Sequence, residues 1–190
     1  MKMLKTAFIS LFLVVSGIAN AGLMVQSDQL EQTVDFQDFG FDWVIEDWMA
    51  NTDANLIIEV QGDLGFSNLS SGETFDIILE SLDLGTHGAF SNGLNGWTEL
   101  TANMGINAWH TSRTFNITAL QMASILNDNL FQLAVNFNQG VHVGFGSINN
   151  TAPFVKATLE YTATEVPEPS TIAMFGLALL GLAARKSKKA

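Results

Sequence analysis

Three aspartates, Asp35, Asp38 and Asp42, stand among Phe36, Phe39, Phe41 and Trp43, with Glu46, Asp47 and Trp48 just beyond. Carboxylates beside aromatic rings suit sugar binding: the acid accepts hydroxyl hydrogen bonds while the ring covers an apolar sugar face. A glycoside hydrolase would need two such carboxylates ~5–10 Å apart across a cleft. Alternation offers the other reading, in which the acids are the solvent face of a strand whose opposite face is core. Trp97 and Trp109 flank the region holding Gly85, Gly88, Gly93 and Gly96 and are further stacking candidates, with a buried core position as their alternative. The carbohydrate candidates are therefore Asp35, Asp38, Asp42, Trp43, Trp97 and Trp109.

Asn51, Asp53 and Asn55, with Glu59 beyond, mimic the spacing of a calcium loop. Leu56 stands where such a loop needs glycine and Gly62 where it needs a bidentate glutamate, so the stretch is not an EF-hand. A looser calcium site here or at Asp128, within Asn127-Asp128-Asn129, competes with ordinary Asn/Asp turns. His87, His110 and His142 show no zinc-binding spacing. There is no cysteine, which removes thiolate zinc sites, iron–sulfur clusters and cysteine nucleophiles. No nucleophile elbow or phosphate loop appears, and the expectation is a body that is not an enzyme and carries no obligatory cofactor.

These side chains must be placed by strands. Phe39, Phe41, Trp43 and Ile45 alternate, out of phase with Val34 and Phe36, which predicts a bulge or bend near Gln37–Asp38. Leu23–Gln32 reads as a leading edge segment and Leu56–Gln61 as a strand closed by the turn residues Gly62-Asp63 and Gly65, with another turn at Ser70-Ser71-Gly72. Thr74–Leu79 alternates, then changes phase at Leu82 and Leu84. Trp97–Met104, Ile106–His110 and Arg113–Ile117 are weaker strands. Phe131–Phe137, Val141–Phe145 and Phe154–Thr162 alternate clearly. Thr118 and Gln121 fit a capping box that opens one short helix, Ala119–Leu126. Roughly nine strands with frequent turns predict an all-β fold, an antiparallel β-sandwich of jelly-roll type, over residues 22–165.

That span holds eighteen acidic side chains against two basic ones, Arg113 and Lys156, a formal charge of −16. Such a body repels nucleic acid and anionic membranes. The mean hydropathy of +0.23 is raised by the two ends of the chain. At the front, Lys2 and Lys5 precede an apolar run, Ala7–Ile18, and Ala19-Asn20-Ala21 is a small-residue cleavage box. Residues 1–21 thus read as a signal peptide, a helix handled by the Sec translocon and signal peptidase, with Gly22 the mature N-terminus.

The last segment, 166–190, has three parts: a Pro-Glu-Pro box, an apolar run Ile172–Ala184, and a basic tip. Pro167 and Pro169 keep the box extended, the form a processing enzyme needs. The 13 apolar residues make a helix of ~20 Å, a short single membrane anchor against a hydrocarbon core of ~30 Å. Arg185, Lys186, Lys188 and Lys189 hold its end on the cytoplasmic side.

Val166-Pro167-Glu168-Pro169-Ser170, then a Gly/Ala/Leu helix, then Arg185-Lys186, resembles the PEP-CTERM sorting signal of Gram-negative bacteria. The resemblance covers the tail alone. It implies recognition by an exosortase, a membrane transpeptidase, with cleavage at or near the Pro box. The protein is then held briefly in the inner membrane before reaching the cell surface or an exopolysaccharide matrix. On that reading the body is a non-enzymatic matrix component; the alternatives are a calcium-assisted carbohydrate-binding module and a polysaccharide-active hydrolase.

Overall fold

The computed structural model describes residues 22–65 and 72–164. The expected signal helix, the tail from Val166 to Ala190 and the Ser70-Ser71 part of a predicted turn lie outside those residues. The chain divides into two units, the body Leu23–Thr162 and the terminal segments 1–22 with 163–190.

Nine strands are present among the described residues: β1 (Gly22–Glu31), β2 (Asp38–Val44), β3 (Ala54–Asp63), β4 (Thr74–Leu79), β5 (Leu82–Gly88), β6 (Thr98–Asn103), β7 (Ala108–Ile117), β8 (Leu130–Phe137) and β9 (Phe154–Ala163). They form two antiparallel sheets, ordered β1-β9-β3-β7-β6 and β2-β8-β4-β5. One short helix, α1 (Ala119–Ile125), precedes β8.

The alternating residues turn one face of each sheet inward. In β2, Phe39, Phe41 and Trp43 are buried while Asp38, Gly40, Asp42 and Val44 are exposed. β8 does the same with Phe131, Leu133, Val135 and Phe137, and β9 with Val155, Ala157, Leu159 and Tyr161. Each of these side chains larger than alanine stabilises the fold by roughly 1.5–3 kcal/mol on burial. Rings from the two sheets meet between them: His87 of β5 lies 5.8 Å from Phe115 of β7. Phe75 of β4 packs edge-on against Trp97, just before β6, at 5.3 Å.

The predicted capping box is present: the Thr118 side chain accepts from the Gln121 backbone, and the Gln121 side chain accepts from that of Thr118. The phase change at Gln37–Asp38 is a bend, with Phe36 in the left-handed region at φ 58. The phase change after Leu79 is a hairpin whose turn places Glu80 at φ 54. Two expectations are corrected. Arg113–Ile117 and His110 belong to one continuous strand, β7. Val141–Phe145 is no strand: after the Asn138–Val141 turn the segment closes into a single 3-10 turn, Val143–Phe145. Alternation there arises from a loop that pins Val141 in the core and leaves Phe145 exposed.

The order of β1 and β9 places the ends of the body. Ser27 Oγ meets Thr158 Oγ1 at 2.8 Å, and the Gln32 N–H donates to the Pro153 carbonyl at 2.8 Å. Both pairs obey one antiparallel register, which sets Gly22 opposite Ala163. The strands' other ends, with the turns 32–37 and 138–153, lie at the far pole of the body.

Candidate functional site

The far pole gathers two carboxyls of altered chemistry. Asp35, in the β1–β2 turn, accepts from the Val143 N–H at 2.8 Å and faces His142 Nδ1 at 3.2 Å. Those bonds, the backbone one foremost, hold its carboxyl below the usual range. Asp63, the last residue of β3, is buried, and that burial with Glu73 nearby pushes its carboxyl up to about 6, against the opposing pull of the His142 backbone N–H. Two carboxyls thus flank the consecutive residues His142 and Val143, one kept ionised and one inclined to hold its proton.

Apolar side chains surround this pair. Phe36 packs edge-on against the His142 ring at 5.2 Å, and Phe145 approaches it at 6.4 Å. Phe36, Phe145 and Val34 remain exposed. Holding a phenylalanine at positive φ costs on the order of 1–3 kcal/mol, which the surrounding bonds of the turn must offset. The Gln37 side chain supplies part of it by accepting from the Thr33 N–H at 2.7 Å. Behind the turn, Gln32 is buried and donates through Nε2 to the Val34 and Val141 carbonyls.

The residues singled out in the sequence are dispersed. Asp38 and Asp42 line the exposed face of β2; Asp42 accepts from Gln132 Nε2 at 3.3 Å. Trp43, Trp97 and Trp109 are each no more than 5% exposed, so they offer no face to a sugar. Trp43 stacks on Phe131 at 5.7 Å, and Trp97 and Trp109 both pack on Phe90. Only Asp35 lies beside exposed aromatic rings.

The calcium candidates serve the backbone. Asp53 Oδ1 accepts from the Ala119 N–H at 2.8 Å and so joins the start of β3 to the start of α1. Asp128 Oδ1 accepts from the Leu130 N–H at 3.1 Å. Asn51 occupies a left-handed turn, and Asn55 is exposed on β3. Among the described residues no group of three or more metal-ligating side chains gathers.

The basic residues are also engaged. Glu59 bridges His110 at 2.8 Å and Lys156 at 3.7 Å on the outer face of the larger sheet. Arg113 lies over the Phe115 ring at 4.8 Å. His87 sits half-buried in the aromatic core, and burial lowers its pKa. A cavity of about 310 Å³ opens at the other end of β4, between the Glu80–Ser81 turn and α1. Its two carboxylates are committed, Glu80 to the Gln132 N–H and Asp128 to the Leu130 N–H.

The sequence points to Asp35 but not to Asp63, which follows Gly62 and reads as a turn residue, nor to Phe145, which reads as a strand position. His142 reads only as an isolated histidine.

The described residues contain no helix long and apolar enough to cross a membrane. A comparison with curated proteins finds none that matches the chain. The family model described as the PEP-CTERM protein-sorting motif matches residues 165–189, the tail that follows β9, and the chain therefore carries a PEP-CTERM sorting motif.

Proposed function

We propose that this is an exported, surface-sorted, non-enzymatic protein of the extracellular matrix or exopolysaccharide, processed at its tail by an exosortase. The match at residues 165–189 carries the reading, since the motif implies export and a membrane-associated sorting step. The signal-peptide pattern at residues 1–21 agrees with it. The strand orders support the finer fold assignment, a jelly-roll sandwich in which β6 is an added edge strand. The non-enzymatic reading draws on the carboxylates nominated for hydrolysis: both Asp35 oxygens are taken up by His142 and Val143, and Asp38 and Asp42 lie on the exposed face of β2.

The test is fractionation of cells expressing the full chain with Pro167, Glu168 and Pro169 all replaced by alanine. The expected result is an unprocessed form retained in the inner membrane. Release and surface display equal to the parent would overturn the sorting assignment.

A second reading, carbohydrate binding, is favoured by one observation: Phe36 and Phe145 stay exposed on either side of His142, next to an ionised Asp35. The ligand groups would be sugar hydroxyls for Asp35 and apolar ring faces for the phenylalanines.

A further inference from the structure

The length of chain between the body and the Pro box is very short. Ala163 ends β9, and Thr164, Glu165 and Val166 alone precede Pro167. Fully extended, they carry Pro167 at most ~14 Å from Ala163. That reach is no greater than the radius of gyration of a body of this size, about 14 Å. An enzyme that closes its active site on the box must therefore meet the folded body.

β9 has no slack to lend. It is paired on both sides, by β1 and β3. Tyr161 and Ala163 are buried, and the Tyr161 hydroxyl donates to Asp47 Oδ1 at 2.8 Å. The Thr162 carbonyl accepts from the Met49 N–H at 2.8 Å. Unzipping even this end of the strand would break several buried bonds.

The surface beside the exit is exposed and apolar. The register that sets Ser27 against Thr158 puts Leu23 and Val25 on the same outer face, opposite Thr162 and Glu160. Leu23 is 70% exposed and Val25 54%. The body's other sheet edges are guarded: β2 by Asp38 and Asp42, β6 by its shortness and a register shift at Glu99/Thr101, and β5 by a shift opposite Ile77/Ile78. β1 presents ten residues, and its apolar end is the one next to the departing tail.

We propose that this corner of the body, centred on Leu23 and Val25, is a docking surface for the exosortase that processes the tail. The inference rests on the sorting reading and adds a second recognition element to it: the enzyme reads the box and braces against an apolar edge near the residue from which the short tether starts. Both features are needed because the tether forces the contact, and Leu23 and Val25 are exposed apolar side chains that lie beside the exit.

The test uses the full chain in cells containing the exosortase, with pulse-chase measurement of precursor processing. Leu23→Ser/Val25→Ser should slow processing several-fold, while Met104→Ser, at a 73% exposed position in the β6–β7 turn beside the far pole, should not. Both are surface changes that leave the melting temperature close to the parent's, a control to be measured on the same full chains. Inserting ten Gly/Ser residues between Thr164 and Glu165 should abolish the difference between the Ser variant and its parent, because the enzyme then reaches the box without the body. A photo-crosslinker at position 23 should yield an adduct with the exosortase. Equal processing of the Leu23→Ser/Val25→Ser chain and the parent, or an adduct with lipid alone, would overturn the docking surface. Neither outcome bears on the sorting motif, whose own failure shows separately as normal processing of the triple-alanine box.

Discussion

The indole Nε1 of Trp43 donates to Asp28 Oδ2 at 2.7 Å, joining β1 of one sheet to β2 of the other. Apart from its pairing with β9, little else secures β1, nearly all of whose residues are exposed. Asp28→Ala strands the N–H of a buried tryptophan and should cost about 1–3 kcal/mol. Urea denaturation measures that loss, and hydrogen exchange should show the amides of Gly22–Glu31 opening first.

Asp63 makes stability depend on pH in an unusual direction. Its folded pKa of about 6 lies above the ordinary value of 3.8, so the folded state binds the extra proton between those two values. Its contribution is fully present below pH ~4 and is lost as pH rises through 6, a change on the order of 2–3 kcal/mol. Asp35, whose pKa is lowered, works in the opposite sense and loses its contribution as pH falls. Asp63→Asn should therefore raise stability at pH 7 and flatten the profile between pH 4 and 6. Denaturant midpoints across that range check it, and an unchanged slope would remove Asp63 as the source.

Gly146 holds the far-pole loop against β3. A Cβ there would stand 2.7 Å from Pro153 Cγ and 2.9 Å from the Gly62 Cα, and the latter is backbone that cannot step aside. Gly146→Ala should destabilise the body by roughly 1–3 kcal/mol through overpacking. Nuclear magnetic resonance shifts should change most at His142, Val143 and Asp35.

The carbohydrate reading makes its own demand. Phe36→Asn keeps a residue that tolerates the left-handed turn, so its stability should stay within ~1 kcal/mol of the parent. Combined with Phe145→Ala, it should weaken any glycan binding at least tenfold on a glycan array. Binding that persists in the double variant would place the sugar elsewhere.

Much of the fold was legible because strand alternation is a direct record of burial. Phe39, Phe41 and Trp43 against Asp38 and Asp42, or Val155, Ala157 and Leu159 against their neighbours, need no tertiary information to assign. The Thr118–Gln121 box is equally local. What escaped was set by contacts between segments far apart in the chain. Val141, Val143 and Phe145 alternate, yet no neighbouring strand takes their backbone groups, so they close a loop instead. Asp63 reads as a turn residue because its burial is imposed by the 138–153 loop, distant in sequence, whose Gly146 packs against the Gly62–Asp63 backbone. The tryptophans stand near turns and acids in the chain, but their rings are large enough to be drawn into the space between the sheets.

The register of β1 against β9 has a practical consequence. Gly22 and Ala163 face each other as an antiparallel pair, at a Cα separation of about 4.5–5.5 Å, so a short turn could splice them together. Opening the chain instead between Asn149 and Asn150, two exposed residues already in left-handed turn geometry, would yield a circular permutant with both sheets intact. Its tail would then leave from the opposite pole, turning the whole body over with respect to whatever holds it.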